Sequence, residues 1–311
     1  MKRAKIIALY MLAELGLIFL IVLSFHLARP MDSSRVIFLP KGGVGEIITH
    51  LRENHFELTK LDGWVLWAIG YPQSGWIDIR ETYLSRGDFL YRITKAKAAM
   101  RDIQLTPGET LHFFITALAQ SFSLSADKLW ESYLRYAPYP EGVILANTYK
   151  IPLGISEDHL MYYLVNHSLK EHRNLATKVL GEYDEVQWFG YITIASIIQK
   201  EAANIDEMPL VSAVIHNRLK KKMRLQMDGT LNYGAFSHMR VTPEMIRSDD
   251  SPYNTYKISG IPPYPVGSVS FEAIRAAISP AKVDYLYFVR NKQGRHSFSK
   301  DYKNHLKNFE K

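Results

Sequence analysis

Thr193-Ile194-Ala195-Ser196-Ile197-Ile198-Gln199-Lys200-Glu201 is the run on which the reading of this chain turns. It sits inside a long apolar segment, Phe189 to Ala203, that contains no proline and reads as a buried helix. Glu201 falls three residues after Ile198, four after Ile197 and seven after Ile194, so it continues the apolar stripe. A carboxyl at the end of a buried stripe is partly desolvated, which disfavours its charged form and raises its pKa. A carboxylic acid still protonated near neutral pH is what a general acid for glycoside cleavage requires. The same place also suits a glutamate that pairs with Arg218 or Arg224 to tie two helices together.

Downstream, a second helix is expected from Pro209 to about Lys222. Met223-Arg224-Leu225-Gln226-Met227-Asp228-Gly229-Thr230 then sets an amide, a carboxylate and a hydroxyl beside a glycine. Ser251-Pro252-Tyr253-Asn254-Thr255-Tyr256 with Gly260-Ile261-Pro262-Pro263 sets aromatic rings and amides on a stiff loop. Sugars are held by such combinations, amides and hydroxyls taking their hydroxyl groups and rings covering their apolar faces. With 12% aromatic residues and 19 tyrosines, a Tyr-rich β core accounts for the same rings. A Pro-rich loop at 261–265, a short helix at 270–278, a hairpin (Tyr285–Arg290 with Arg295–Ser299) and a C-terminal helix complete this half. His296 on the hairpin is expected to be a hydrogen-bonded structural histidine.

Upstream, Val36–Leu39 reads as a strand and Val44–Leu51, apolar at 44, 47, 48 and 51, as an amphipathic helix. A similar strand, turn and helix recurs at Ile103–Thr110 and Leu111–Leu118. Between them, Trp64–Arg92 is expected to form strands and turns, from Tyr71-Pro72, Gly75-Trp76 and Arg86-Gly87-Asp88. Helices are expected at about 126–135 and 156–179, and Glu141–Tyr149 reads as a turn into a buried strand.

The N-terminus fixes the compartment. Lys2, Arg3 and Lys5 precede an apolar stretch from Ile6 to Ala28 that is long enough to cross a bilayer. The positive flank keeps the N-terminus cytoplasmic, so everything past residue 30 is expected outside the inner membrane, in the periplasm. A cleaved signal peptide would have a shorter apolar core and a small-x-small site, which Phe25-His26-Leu27-Ala28-Arg29 lacks, so an uncleaved anchor is expected. Glu14 lies in the first half of the span, protonated or facing a partner helix. The chain has 311 residues with 38 Lys+Arg against 31 Asp+Glu, and part of that excess belongs to the anchor region. Absence of cysteine removes disulfides, thiolate nucleophiles and Cys-held metals. The 11 histidines are scattered. His-Glu-x-x-His, G-x-S-x-G, Walker A and dinucleotide fingerprints are absent, as is any basic helix or aromatic RNA motif, so no cofactor, metal or nucleic acid is expected.

The chain resembles the endolytic murein transglycosylases, the YceG-like family. The resemblance rests on Ala195–Glu201, Asn217-Arg218-Leu219, Met223–Gln226 with Asp228, Tyr253–Tyr256, Gly260–Pro263, Tyr285–Val289, and His296 with Phe298. It is strong over about 185–311 and weak upstream through Glu141-Gly142 and Asn147–Tyr149. It departs at Gly229, where the family usually has proline, at Gln199, where it often has an acid, at Ala146-Asn147 in place of Pro-Asp, and over 60–100.

The resemblance implies an α+β protein with one transmembrane helix (1–30), a membrane-proximal region (31–175) and a catalytic domain (176–311). A LysM-like glycan-binding element would lie near 101–150, around Leu105–Leu111. Glu201 would protonate the glycosidic oxygen between N-acetylmuramic acid and N-acetylglucosamine, then deprotonate the muramoyl C6 hydroxyl to leave a 1,6-anhydro end. Gln226, Asp228, Asn254 and Tyr256 would orient the sugar, and the enzyme would terminate glycan elongation beside peptidoglycan synthases. Two other readings stay open: a lysozyme-like hydrolase using Glu201 and Asp228, and a non-catalytic wall-binding scaffold.

Overall fold

The computed structural model describes residues 2–309, which form two compact units. The first comprises the residues up to Arg101 together with Lys150–Gly154, and the second Asp102–Tyr149 with Ile155 onward.

The first unit begins with α1 (Lys2–Ala28), of which Lys5–Ala28 is long and apolar enough to cross a bilayer. Strands β1 (Pro30–Asp32) and β2 (Val36–Leu39) lead into helices α2 (Val44–Glu53) and α3 (Lys60–Ile69). After β3 (Gly75–Asp78), β4 (Tyr83–Ser85), α4 (Arg86–Lys95) and β5 (Lys97–Ala98), the chain leaves this unit. β3 is the middle strand of an antiparallel sheet β2-β3-β5, with Ile37 opposite Ile77, and β4 pairs with β1. Leu39, Leu51, Leu66, Ile77, Phe89, Leu90 and Ile93 form its core.

The end of α1 is built into that core. Leu27 packs against it, and a Cβ on Gly87 would stand 3.2 Å from the Leu27 Cβ. His26 Nε2 lies 2.9 Å from Oδ1 of the buried Asp62, whose Oδ2 accepts from Arg86 Nη1 at 2.9 Å. Burial works against the Asp62 carboxylate, but the Thr59 amide, His26, the Thr59 hydroxyl and Arg86 together hold its pKa below the ordinary value.

Segment 64–92 corrects its sequence reading, since it holds α3 and α4 besides two short strands. Local capping decides this against aromatic β propensity. Asp62 Oδ2 accepts from the Thr59 amide at 2.6 Å at the start of α3, and Ser85 Oγ accepts from the Asp88 amide at 3.1 Å at the start of α4.

The second unit is mostly helical. Strand β6 (Met100–Gln104), whose first two residues belong to the first unit, precedes α5 (Leu111–Phe122) and α6 (Ala126–Tyr136), and β6 pairs with β7 (Thr148–Pro152), whose Lys150–Pro152 likewise belong to the first unit. The strand expected from Glu141 therefore starts only at Thr148: Gly142 turns the chain at φ +77°, and Val143 and Ile144 reach the core from irregular backbone. Next come α7 (Glu157–Leu180), α8 (Glu185–Glu201) and α9 (Met208–Lys220), all near their expected bounds. The expected domain boundary near 175 falls inside α7. A 3-10 turn at Asp228–Leu231, α10 (Pro243–Ser248), α11 (Phe271–Ile278), the antiparallel hairpin β8 (Tyr287–Arg290) with β9 (His296–Ser299), and α12 (Tyr302–Phe309) finish the chain.

Helix α8 is the axis of this unit and packs against α9 and α11. Trp188, Ile192, Ala195, Ile197 and Ile198 are fully buried, as a helix apolar all round should be. Its buried polar groups are paired: Ser196 Oγ accepts from the Val266 amide at 3.0 Å, and Trp188 Nε1 donates to His172 Nδ1 at 3.0 Å. His172 Nε2 in turn lies 3.0 Å from the Val143 carbonyl, and burial lowers the pKa of His172 to about 4, so it stays neutral.

Candidate active site

Glu201 is the last residue of α8 and faces a cavity of about 390 Å3. The walls come from the end of α9 (Arg218), from the loop that follows it (Leu225–Asp228), from Tyr256, and from the hairpin with α12. The loop is pinned in place by buried bonds. The Gln226 amide donates to the Thr255 carbonyl at 3.1 Å, the Met227 amide to Thr255 Oγ1 at 3.0 Å, and Thr230 Oγ1 to the Met227 carbonyl at 2.7 Å. Gln226 itself is left-handed, φ +47°, a conformation that costs a non-glycine residue energy and that the pinned loop enforces.

Burial is the main reason the Glu201 carboxyl is pushed up to about 7. The neighbouring Asp228 charge adds to the rise, while an amide hydrogen bond and Arg218 oppose it. That bond runs from the Gly229 N–H to Glu201 Oε1 at 2.6 Å. A Cβ at position 229 would lie 2.6 Å from Lys200 Cβ and 2.9 Å from Glu201 Oε1, so glycine is the residue that lets the loop approach.

The helix tie with Arg218 takes a different form from a salt bridge. Among the described residues Glu201 has no ion pair; the Arg218 guanidinium is spent on carbonyls, Leu286 at 2.7 Å and Leu225 at 2.5 Å, and sits over the Tyr287 ring at 5.2 Å. Arg224 is exposed and donates to the Tyr256 carbonyl at 3.1 Å.

The structure brings Gln226, Asp228 and Tyr256 to the cavity with Glu201. The Tyr256 hydroxyl donates to Asp228 Oδ1 at 2.6 Å, and burial together with that carboxylate pushes its pKa up. The Gln226 side chain is exposed and, among the described residues, makes no hydrogen bond to the protein. Asn254 is not brought to the cavity. It is fully buried, its amide donates to the Ile246 and Asp249 carbonyls at 2.9 and 2.7 Å, and its oxygen accepts from the Tyr256 amide at 3.1 Å. It shapes the loop that presents Tyr256. His296 does line the cavity, but its Nδ1 is bound to Glu207 Oε2 at 2.7 Å and its amide to Oε1 at 3.0 Å.

Two features escaped the sequence. The Gly229 amide carries no side-chain signal. Glu141, quoted only as part of a turn, is a second acid that burial pushes up to about 7, with the Leu111 and Gly142 amides donating to it at 2.9 and 3.1 Å. It is not among the residues lining the cavity and serves as a cap for α5. Gln199, at a position where an acid was the alternative, accepts from the Ser270 amide at 3.1 Å. A larger groove of about 790 Å3 in the first unit is lined by no acid.

A partly buried acid that is half protonated near neutrality, open to a cavity with amide, carboxylate and phenol groups, is equipped for proton transfer to a bound polyol. The model of the YceG-like family matches residues 40–311. The chain belongs to that family. Two curated relatives, both named endolytic murein transglycosylase, are 41% identical over 120 residues (Bacillus subtilis strain 168) and 36% over 123 residues (Streptococcus pneumoniae serotype 2). These matches take in 39% and 38% of this chain but only 33% and 22% of the relatives, so the chain covers a third of their length or less. A crystal structure of a yceG-like protein from Listeria monocytogenes covers 89% of this chain and 99% of its own, with a TM-score of 0.57 at 24% identity. That likeness is one of fold. Within the YceG-like family, then, this chain sets a backbone donor at 229 against the carboxyl that its motif marks out.

Proposed function

We propose that this chain is a membrane-anchored lytic transglycosylase that cleaves peptidoglycan glycan strands between N-acetylmuramic acid and N-acetylglucosamine. The observation that carries the reading is Glu201, held at the mouth of α8 with a pKa of about 7 and facing the cavity. At that pKa one carboxyl can give its proton to the glycosidic oxygen and, as carboxylate, receive the proton of the muramoyl C6 hydroxyl. C6–O then bonds to C1 as the C1–O bond to the leaving sugar breaks, which leaves a 1,6-anhydro end and consumes no water. Gln226, Asp228 and Tyr256 orient the sugar, and Asn254 acts through Tyr256.

The anchor reading draws support from His26 and Leu27, whose contacts with Asp62 and the core would be lost on cleavage of a signal peptide. On this reading α1 spans the inner membrane with its N-terminus cytoplasmic, and the site stands outside near nascent strands and the synthases that make them, shortening those strands. The LysM-like element at Leu105–Leu111 would hold glycan beside the cavity. It is bonded within the second unit, the Gly108 amide donating to the Ser268 carbonyl at 2.9 Å and the Thr110 hydroxyl to the Gly234 carbonyl at 2.9 Å.

Digestion of purified glycan strands by the full chain, with product ends read by mass, tests the proposal. Anhydro ends are expected, and Glu201→Gln should abolish them. Reducing ends would reassign the reaction to hydrolysis, a reading that Asp228 in the same cavity keeps specific.

A further inference from the structure

The first unit carries two tryptophans that its core does not use. Trp64 and Trp67 stand about one turn apart on α3 and are 77% and 69% exposed. With Val44 and Ile48 of α2 they line the groove of about 790 Å3, and Arg52 and Lys60 line it too. Exposed large apolar rings beside a groove mark a surface that meets something.

The position of α3 relative to the end of α1 decides what that is. His26 Nε2 contacts Asp62 Oδ1 at 2.9 Å, Asp62 is fully buried, and Leu27 packs against the core of the same unit. Trp64 and Trp67 follow Asp62 by two and five residues, hence by about 3 and 8 Å along the helix axis. His26 stands two residues before α1 ends, where a 24-residue span of about 36 Å has just exceeded a hydrocarbon core of about 30 Å. Asp62 thus meets α1 at about the level at which it leaves the hydrocarbon, and both rings lie within about 8 Å of Asp62 measured along the α3 axis. Tryptophan favours that layer, because its ring is apolar and its N–H seeks a polar partner. Arginine and lysine in the same groove suit lipid phosphates.

We propose that the α2–α3 face is a membrane-binding surface, seated in the interfacial layer of the anionic bilayer that α1 enters, with Trp64 and Trp67 as its anchors. This rests on the reading of α1 as an uncleaved anchor. The span would then hold the first unit at a fixed height and tilt, not on a loose tether.

The test uses the full chain in vesicles of phosphatidylcholine and phosphatidylglycerol, with bromine placed either shallow or deep in the acyl chains. Shallow bromine should quench the tryptophan emission more than deep bromine. The Trp64→Phe/Trp67→Phe variant should lose most of that quenching while melting at the same temperature, since both side chains are exposed. Wild type that stays with the vesicles yet is quenched no more than the variant overturns the proposal. Weaker binding of glycan strands by that variant would then make the groove a sugar platform. A chain stripped from the vesicles by alkaline carbonate overturns the anchor reading, and the proposal with it.

Discussion

Gly229→Ala puts the reading of the Glu201 site at risk with one added methyl group. The new Cβ would meet Lys200 Cβ at 2.6 Å and Glu201 Oε1 at 2.9 Å. Lys200 Cβ sits next to the backbone of α8 and cannot swing away, so the loop or the carboxyl must move. Overpacking of this kind costs about 1–3 kcal/mol of stability. The displaced carboxyl also loses its 2.6 Å bond from the Gly229 amide. A hydrogen bond to a charged group contributes about 1.5–3 kcal/mol, which corresponds to about one to two pH units. Because that bond favours the carboxylate, its loss raises the Glu201 pKa above its present value of about 7. Cleavage that needs the protonated acid should then persist to higher pH, with the alkaline limb of the pH–rate profile moved upward. Carboxyl 13C titration of Glu201 reads the same change without turnover. Gly229→Pro removes the donor outright, sets a ring carbon where the proton lay, and should move the limb in the same direction. An unmoved alkaline limb and an unchanged Glu201 titration in both variants would refute the claim that this amide sets the acid.

Glu201→Gln should abolish strand cleavage and stabilise the fold at high pH. The folded carboxyl is raised from 4.5 to about 7, so the folded state holds the proton more tightly and stability falls as pH rises through that window. The loss is about 3 kcal/mol at most, so thermal melts should show the variant ahead at pH 8 and level at pH 4. Glu141→Gln, by contrast, should destabilise by about 1–3 kcal/mol at pH 4, because its side-chain NH2 would face one of two backbone N–H donors, and the deficit should shrink as pH rises through about 7, where the parent carboxyl ionises; denaturant melts at the two pH values check this. Tyr256→Phe frees Asp228 and should lower kcat/KM on glycan strands about ten-fold, the equivalent of one partly exposed charged hydrogen bond. Arg218→Lys cannot reach both the Leu286 and Leu225 carbonyls and should cost about 2 kcal/mol or more in a urea melt.

The sequence was most legible where burial and period coincide. Phe189–Ala203 is a nearly continuous apolar run, so α8 could be read directly, and with it the stripe that Glu201 continues, since a helix fixes which side chains share a face. Gln226, Asp228 and Tyr256 came together because one short loop and one stiff loop carry them. Asn254 lies two residues from Tyr256 on that stiff loop, but spacing along a loop does not say which side chains turn inward, and its amide found carbonyls. Residues 64–92 misled because tryptophan and tyrosine favour strands, whereas the caps Thr59/Asp62 and Ser85/Asp88 act within one turn and prevail. The partners of Glu141 and Glu201 were invisible for a simpler reason. Both acids are held by backbone amides, which every residue but proline carries, so no residue type announces them.

That last point bears on how the chain arrives at an acid near neutrality. Glu201 ends α8, where the unpaired carbonyls leave a partial negative charge that disfavours a carboxylate. Burial and Asp228 push the same way. The opposing donor is an amide in the first turn of the short 3-10 segment Asp228–Leu231, where N–H groups are unpaired and favour negative charge. One carboxyl is thus set between the end of one helix and the start of another, and each pulls its pKa in its own direction. Both of these terms are fixed by backbone position, so surface substitutions other than at Asp228 should leave the balance alone. A change at 229 should not, because it acts on the only one of these groups that touches the carboxyl oxygen directly through the chain itself.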